Sequence, residues 1–188
     1  STEQQVRELP LCFEASSIAA ELDRLAEIIG RRQILNERIG IIVPTKRQVH
    51  GVSRGLEERG IAVQKAIHPD GLSVDDRPLN FGSPVPKIST YHSAKGLTFD
   101  SVLMPRLVDR SFPWVYGTAR HRMLFVGIAR ATQWAYVSTV KGDEFAEMEL
   151  IRQAQAEGRI TFQDTFGLPP SMPLFGGYQP LGDELSVL

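Results

Sequence analysis

The run Ile39-Gly-Ile-Ile-Val43 constrains this chain more than any other stretch. It is continuously apolar and bounded by Asn36 and Pro44. A short strand of that kind is buried on both faces, as in a parallel sheet covered by helices. Its neighbours agree. Leu9–Glu14 reads as a strand, Ser16 and Ser17 offer an N-cap, and Ile18, Leu22, Leu25 and Ile28/Ile29 recur at helical spacing up to Gly30. Thr45 caps a second helix with Val49, Val52 and Leu56 on one stripe, closed by Gly60, and Ile61–Ile67 returns as a strand. This β-α-β-α-β order predicts a three-layer α/β/α domain with a mainly parallel sheet.

Beyond it, His68–Pro86 holds four prolines, two glycines and three aspartates without periodicity, and reads as a loop. His68, Asp70, Asp75 and Asp76 lack ligand spacing on any regular element, so no metal is expected. A strand at Lys87–Tyr91, a polar loop and a strand at Ser101–Leu107 follow. A helix over Thr118–Arg130 leads into Trp134–Thr139, the last clear strand. Asp143 is expected to cap a final helix carrying Phe145, Met148 and Ile151 and ending near Gly158. Arg31 and Arg32 are expected past the end of the first helix, favourably placed against its dipole. The domain is predicted over 1–165, with 166–188 a Pro- and Gly-rich tail.

Bulk composition narrows the classes. With 21 Lys and Arg against 22 Asp and Glu, net charge is −1, so any nucleic-acid contact must come from local basic patches. The single cysteine, Cys12, cannot close an internal disulfide and reads as a buried hydrophobe. No run of about 18 apolar residues is present, and no signal peptide is apparent. The expectation is a cytoplasmic protein with no membrane contact. The chain begins with Ser1 rather than Met, which suggests a piece of a longer protein.

Two phrases carry the chemistry. The first is Ile88-Ser-Thr-Tyr-His-Ser-Ala-Lys-Gly-Leu-Thr-Phe; the second is His121-Arg-Met-Leu-Phe-Val-Gly-Ile-Ala-Arg-Ala. Polar loops at strand ends are where open α/β sheets take ligands. The first phrase resembles the fifth helicase motif of superfamily 1 DNA helicases of the UvrD/Rep type. The second is similar to the sixth, and Ile39–Val43 with its helix occupies the place of the fourth. The resemblance covers roughly Arg38–Thr139, the second RecA-like lobe of such motors.

That resemblance implies roles. Arg130 would be the arginine finger, a guanidinium that stabilises charge on a transferring phosphoryl group. Gly96, Lys95, Thr98 and Arg122 would join it around ATP. Thr90, His92 and Ser93 would face a DNA phosphate, with Lys46 and Arg47 beyond the fourth-motif strand. Arg106, Arg110 and Arg120, interleaved with Phe112, Trp114 and Tyr116, form a basic aromatic segment suited to single-stranded nucleic acid. Gly96 would let the backbone approach nucleotide or a neighbouring loop.

The pattern also has departures. Thr98 stands where the family has a ribose-binding glutamate, Ala129 replaces the threonine before the finger, and Pro44-Thr45 replace the fourth-motif arginine. The loop 68–86 is too short to house the subdomain that many relatives insert. No G-x-x-x-x-G-K-[ST] phosphate loop occurs, nor a magnesium-holding Asp-Glu pair. The chain is therefore expected to hold half an ATP site and to bind no ATP or Mg2+ alone. It would complete the site with the N-terminal motor lobe of its parent and track single-stranded DNA. The alternative is a DNA- or protein-binding module that works without ATP.

Overall fold

A computed structural model of the chain describes residues 8–66, 82–111 and 118–164. The elements are β1 Leu11–Ala15, α1 Ile18–Ile34, β2 Ile39–Val43, α2 Lys46–Glu57, β3 Gln64–Ala66, β4 Lys87–Thr90, β5 Phe99–Met104, a 3-10 turn at Asp109–Ser111, α3 Thr118–Ile128, β6 Ala131–Val140, α4 Met148–Ala156 and β7 Thr161–Asp164. Among the described residues, seven strands form one sheet in the order β3-β4-β2-β5-β6-β1-β7. Every neighbouring pair is parallel. All carboxyl ends therefore share one edge of the sheet and all amino ends the other.

Strand alternation builds two cores. Leu11, Phe13 and Ala15 of β1, with Ile39, Ile41 and Val43 of β2, meet Leu25, Ile29, Val49 and Leu56 from α1 and α2. On the opposite face, Cys12, Ile42, Val102 and Met104 meet Met123 and Leu124 of α3 and Met148 and Ile151 of α4. This is the expected three-layer α/β/α arrangement. Burial pushes the Cys12 thiol up to about 12, so it stays protonated and packs as a hydrophobe.

Some local expectations are corrected. Gly30 does not end α1: the helix runs on to Ile34. Arg32 is thus inside the last turn. It is tied to Glu8 at 2.7 Å and Glu37 at 3.2 Å, and stacks 3.6 Å from the Trp134 ring. The third strand begins only at Gln64, not Ile61, and Ile67 lies outside the described residues. The fifth begins earlier, at Phe99, and stops at Met104, since Pro105 has no N–H to donate. Asp143 caps no helix: its carboxylate pairs with Arg110 at 2.6 Å, and α4 starts after Glu147 without a side-chain cap. A further strand, β7, lies beyond the expected last one and pairs with β1. The metal candidates His68, Asp70, Asp75 and Asp76, the aromatics Phe112, Trp114 and Tyr116, and the tail 166–188 lie outside the described residues.

Candidate functional site

The first chemical phrase does not stay in one place. Thr90 ends β4 at the carboxyl edge, and Phe99 begins β5 at the amino edge. The loop between them therefore crosses the whole sheet, beneath β2, with Tyr91, Ala94 and Leu97 packed into the α3/α4-side core. Its upper end is a tight turn: Ser93 N–H donates to Thr90 Oγ1 at 3.2 Å, and the Thr90 hydroxyl donates to Ser93 Oγ at 3.2 Å. His92 and Lys95 stay exposed. Gly96 adopts φ +86° with open space where a Cβ would sit, so backbone handedness requires the glycine there.

At the carboxyl edge a groove opens between the starts of α1 and α2, lined in part by Thr45, Arg47, Gln48, Arg106, Arg110 and Ser111. Three arginines expected on nucleic acid thus meet around one concavity, with Lys46 beside Arg47. Thr45 makes a full capping box with Gln48, whose side-chain amide also donates to Ser111 Oγ at 2.5 Å. Arg106 takes φ +64°, a left-handed conformation costly for a side-chain-bearing residue. Its N–H is held by Glu21 Oε1 at 2.8 Å, and its guanidinium lies 3.9 Å from Glu21 Oε2. Glu21 is 1% exposed. Burial pushes its carboxyl up to about 7, against the pull of Arg106. Arg120 differs from its two companions. It is buried and bonded to Asp109 at 3.1 Å and Glu147 at 3.2 Å, so it takes no part in an exposed basic surface.

At the amino edge, α3 ends at Ile128 and Arg130 follows in the turn before β6. Its carbonyl accepts from Phe99 N–H at 2.8 Å, which places Arg130 beside Thr98. Its Nε donates to Val126 O at 3.3 Å. The second phrase also explains the seat of α3. A Cβ on Gly127 would overlap Met104 Sδ and lie 2.9 Å from Tyr91 Cε1, so only glycine lets this helix approach β5 so closely. Arg122 is exposed and sits eight residues before Arg130, roughly 12 Å along the helix axis.

The residues expected around ATP are therefore gathered only in part. Thr98 and Arg130 adjoin, Gly96 and Lys95 stand just above them on the crossing loop, and Arg122 is remote. Sequence reasoning missed Arg38 and Asp100 on this edge. Arg38 N–H donates to Asp100 Oδ2 at 2.7 Å, and the guanidinium reaches Oδ1 at 3.4 Å. Burial raises the Asp100 carboxyl, but the Arg38 bonds outweigh it and hold it below its usual range. The position of Arg38, directly before the β2 run, was the available signal. Glu21 gave none, since its partner is 85 residues away.

Residues 75–142, which contain both phrases, match the UvrD-like helicase C-terminal domain family. Over this segment the chain is similar to helicase C-terminal domains. A probable DNA helicase of Mycoplasma pneumoniae is 29% identical over 119 residues, covering 55% of this chain and 22% of that protein. The chain thus spans about a fifth of the curated relative it matches. The C-terminal domain of a possible DNA helicase from Lactobacillus plantarum superposes with a TM-score of 0.65 at 17% identity, over 83% of this chain and 86% of that one. The C-terminal domain of the DEAD-box protein Dbp5 gives 0.61 at 17% identity, over 84% and 91%. At these identities the two structures speak for the fold alone, a RecA-like lobe. No helix among the described residues is long and apolar enough to cross a membrane.

Proposed function

We propose that this chain is the second motor lobe of an ATP-dependent DNA helicase or translocase, with Arg130 as the arginine finger. The observation that carries this reading is the surroundings of Arg130. Among the described residues, only its Nε has a hydrogen-bond partner, a backbone carbonyl, and no carboxylate neutralises it. Next to it α3 exposes Phe125 at 72% and Ile128 at 46%. Large apolar side chains left open near the end of a helix suit contact with a second surface. The N-terminal motor lobe is the partner that would cover this face and bring the phosphate loop. Arg130 then reaches the γ-phosphate with its terminal nitrogens, where a guanidinium in trans is worth about 10³–10⁵ in rate in related machinery. Thr98 and Arg38 flank it.

The donor set at this edge suits phosphate oxygens, not a metal. Its carboxylate, Asp100, is occupied by Arg38, and no group of three His, Cys, Asp or Glu among the described residues could hold an ion. Mg2+ would belong to the other lobe. At the opposite edge, the groove of Arg47, Arg106 and Arg110, with Thr90, His92 and Ser93 nearby, is the proposed track for single-stranded DNA, held by its phosphates. The alternative reading, a binding module independent of ATP, draws on Thr98 in place of the ribose-binding glutamate.

The test is ATP turnover by this chain and by the full-length protein, with and without single-stranded DNA, each beside Arg130→Ala. The proposed function expects turnover only in the full-length protein, reduced about 10³-fold or more by Arg130→Ala with nucleotide binding retained. Full turnover in the Arg130→Ala protein, or an inactive full-length protein that still binds DNA, would favour the binding module.

A further inference from the structure

One helix spans the distance between the two edges, and a buried guanidinium stands at its start. Arg120, on the first turn of α3, is 5% exposed and donates to Asp109 Oδ1 at 3.1 Å and Glu147 Oε2 at 3.2 Å. Asp109 opens the 3-10 turn whose next residues, Arg110 and Ser111, wall the arginine groove. Glu147, 8% exposed, is the residue from which α4 starts, and His121 Nε2 lies 3.6 Å from it. At the other end of α3 stands Arg130.

The helix is thus held at two places of different kind. Its C-terminal turn is seated by close packing of Gly127 on Met104 and Tyr91. Its N-terminal turn is held by charge. A buried ion pair adds little net stability over apolar packing, because desolvation offsets the attraction. Its contribution is directional: two fixed hydrogen bonds define where the helix starts. Phe125 and Ile128 of α3 are exposed, so packing holds only part of the helix circumference.

We propose that Arg120 is a positioning residue that couples the arginine groove to Arg130. Arg110 is 65% exposed in its side chain and paired with Asp143 at 2.6 Å. A nucleic-acid phosphate drawn to Arg110 competes with Asp143 and displaces the 3-10 turn. Asp109 moves with the turn, Arg120 follows Asp109, and α3, about 16 Å long at 1.5 Å per residue, carries the shift to Arg130. Strand binding at one edge thereby aligns the guanidinium at the other. This rests on the reading of Arg130 and of the groove given above.

The experiment uses the full-length protein as wild type, Arg120→Gln, Arg120→Lys, Asp109→Asn and the double variant Arg120→Gln/Asp109→Asn. It measures ATP turnover across a titration of oligothymidylate, with thermal unfolding alongside. The expected result for Arg120→Gln is a tenfold or greater loss in the stimulation factor, with KM for ATP and the half-saturating DNA concentration within twofold of wild type. Arg120→Lys should recover part of the stimulation. Asp109→Asn should act in the same direction, and the double variant should be no worse than Arg120→Gln alone. An intact stimulation factor in Arg120→Gln overturns the proposal, as do single losses that multiply in the double variant. If Arg120→Gln fails to fold, Asp109→Asn decides, because Asp109 is 63% exposed in its side chain. A wild-type protein without DNA-stimulated turnover fails at the earlier step and removes the reading on which this one depends. A stimulated wild type with unaffected variants removes the coupling alone.

Discussion

The two edges of this sheet carry similar charges in opposite settings. At the carboxyl edge three arginines have acidic partners: Arg106 has Glu21, Arg110 has Asp143, and Arg120 has Asp109 and Glu147. At the amino edge Arg130 bonds a backbone carbonyl, and apolar side chains stand open around it. Paired arginines are preorganised and can exchange a carboxylate for a phosphate, which suits a ligand that arrives and departs. An arginine beside a bare apolar face suits a neighbour that stays. Under the proposed function, the same residue type would serve a moving strand on one side and a lobe interface on the other.

The helix that joins the edges offers the largest perturbation. Gly127→Ala forces a methyl into Met104 and Tyr91, and overpacking of this kind costs about 1–3 kcal/mol. Denaturant unfolding of the chain should show that loss, and unfolding indistinguishable from wild type would mean that α3 has a looser seat. To sharpen the contrast between edges, Arg47→Ala/Arg110→Ala should weaken single-stranded DNA binding by the full-length protein about tenfold. It should also flatten the salt dependence by roughly 0.7 per lost contact. Nucleotide affinity should hold. An equal loss of DNA and nucleotide binding would erase the distinction drawn between the edges.

The smallest effect concerns pH. Burial pushes the folded Glu21 carboxyl up to about 7 from its ordinary value near 4.5, so the folded chain binds the extra proton between those values. By linkage this residue's contribution falls as pH rises through that window and is constant above it. Glu21→Gln should flatten the unfolding free energy between pH 4.5 and 7. A wild-type curve with the same slope as the variant's would place Glu21 in a more hydrated setting than its burial implies.

Much of the fold is legible residue by residue. Ile39–Val43 and the Thr45 cap fall where the sequence puts them, because apolar run length and capping chemistry are local properties. β7 was illegible for the converse reason. Thr-Phe-Gln-Asp carries one apolar residue, and it is a strand only because β1 offers an unpaired side. α1 runs past Gly30 because Arg32 finds Glu8, Glu37 and Trp134, contacts that only the fold creates. The phrases around Lys95 and Arg130 were readable as motifs. That their residues divide between opposite edges was not, since it follows from a loop that crosses the sheet without a helix.

The place of β1 has a consequence for how the chain acquires its shape. β1 lies between β6 and β7, and Leu11 registers with Tyr136 and with Thr161. During synthesis the first strand therefore waits for partners that emerge more than a hundred residues later, while β2, β4 and β5 can assemble beside it. Non-local parallel pairing of that kind is slow, since the loop must close before the contact forms. Arg32 and Trp134 meet across the same late seam. A ribosome stalled before β6 would hold a chain whose first strand lacks both of its neighbours.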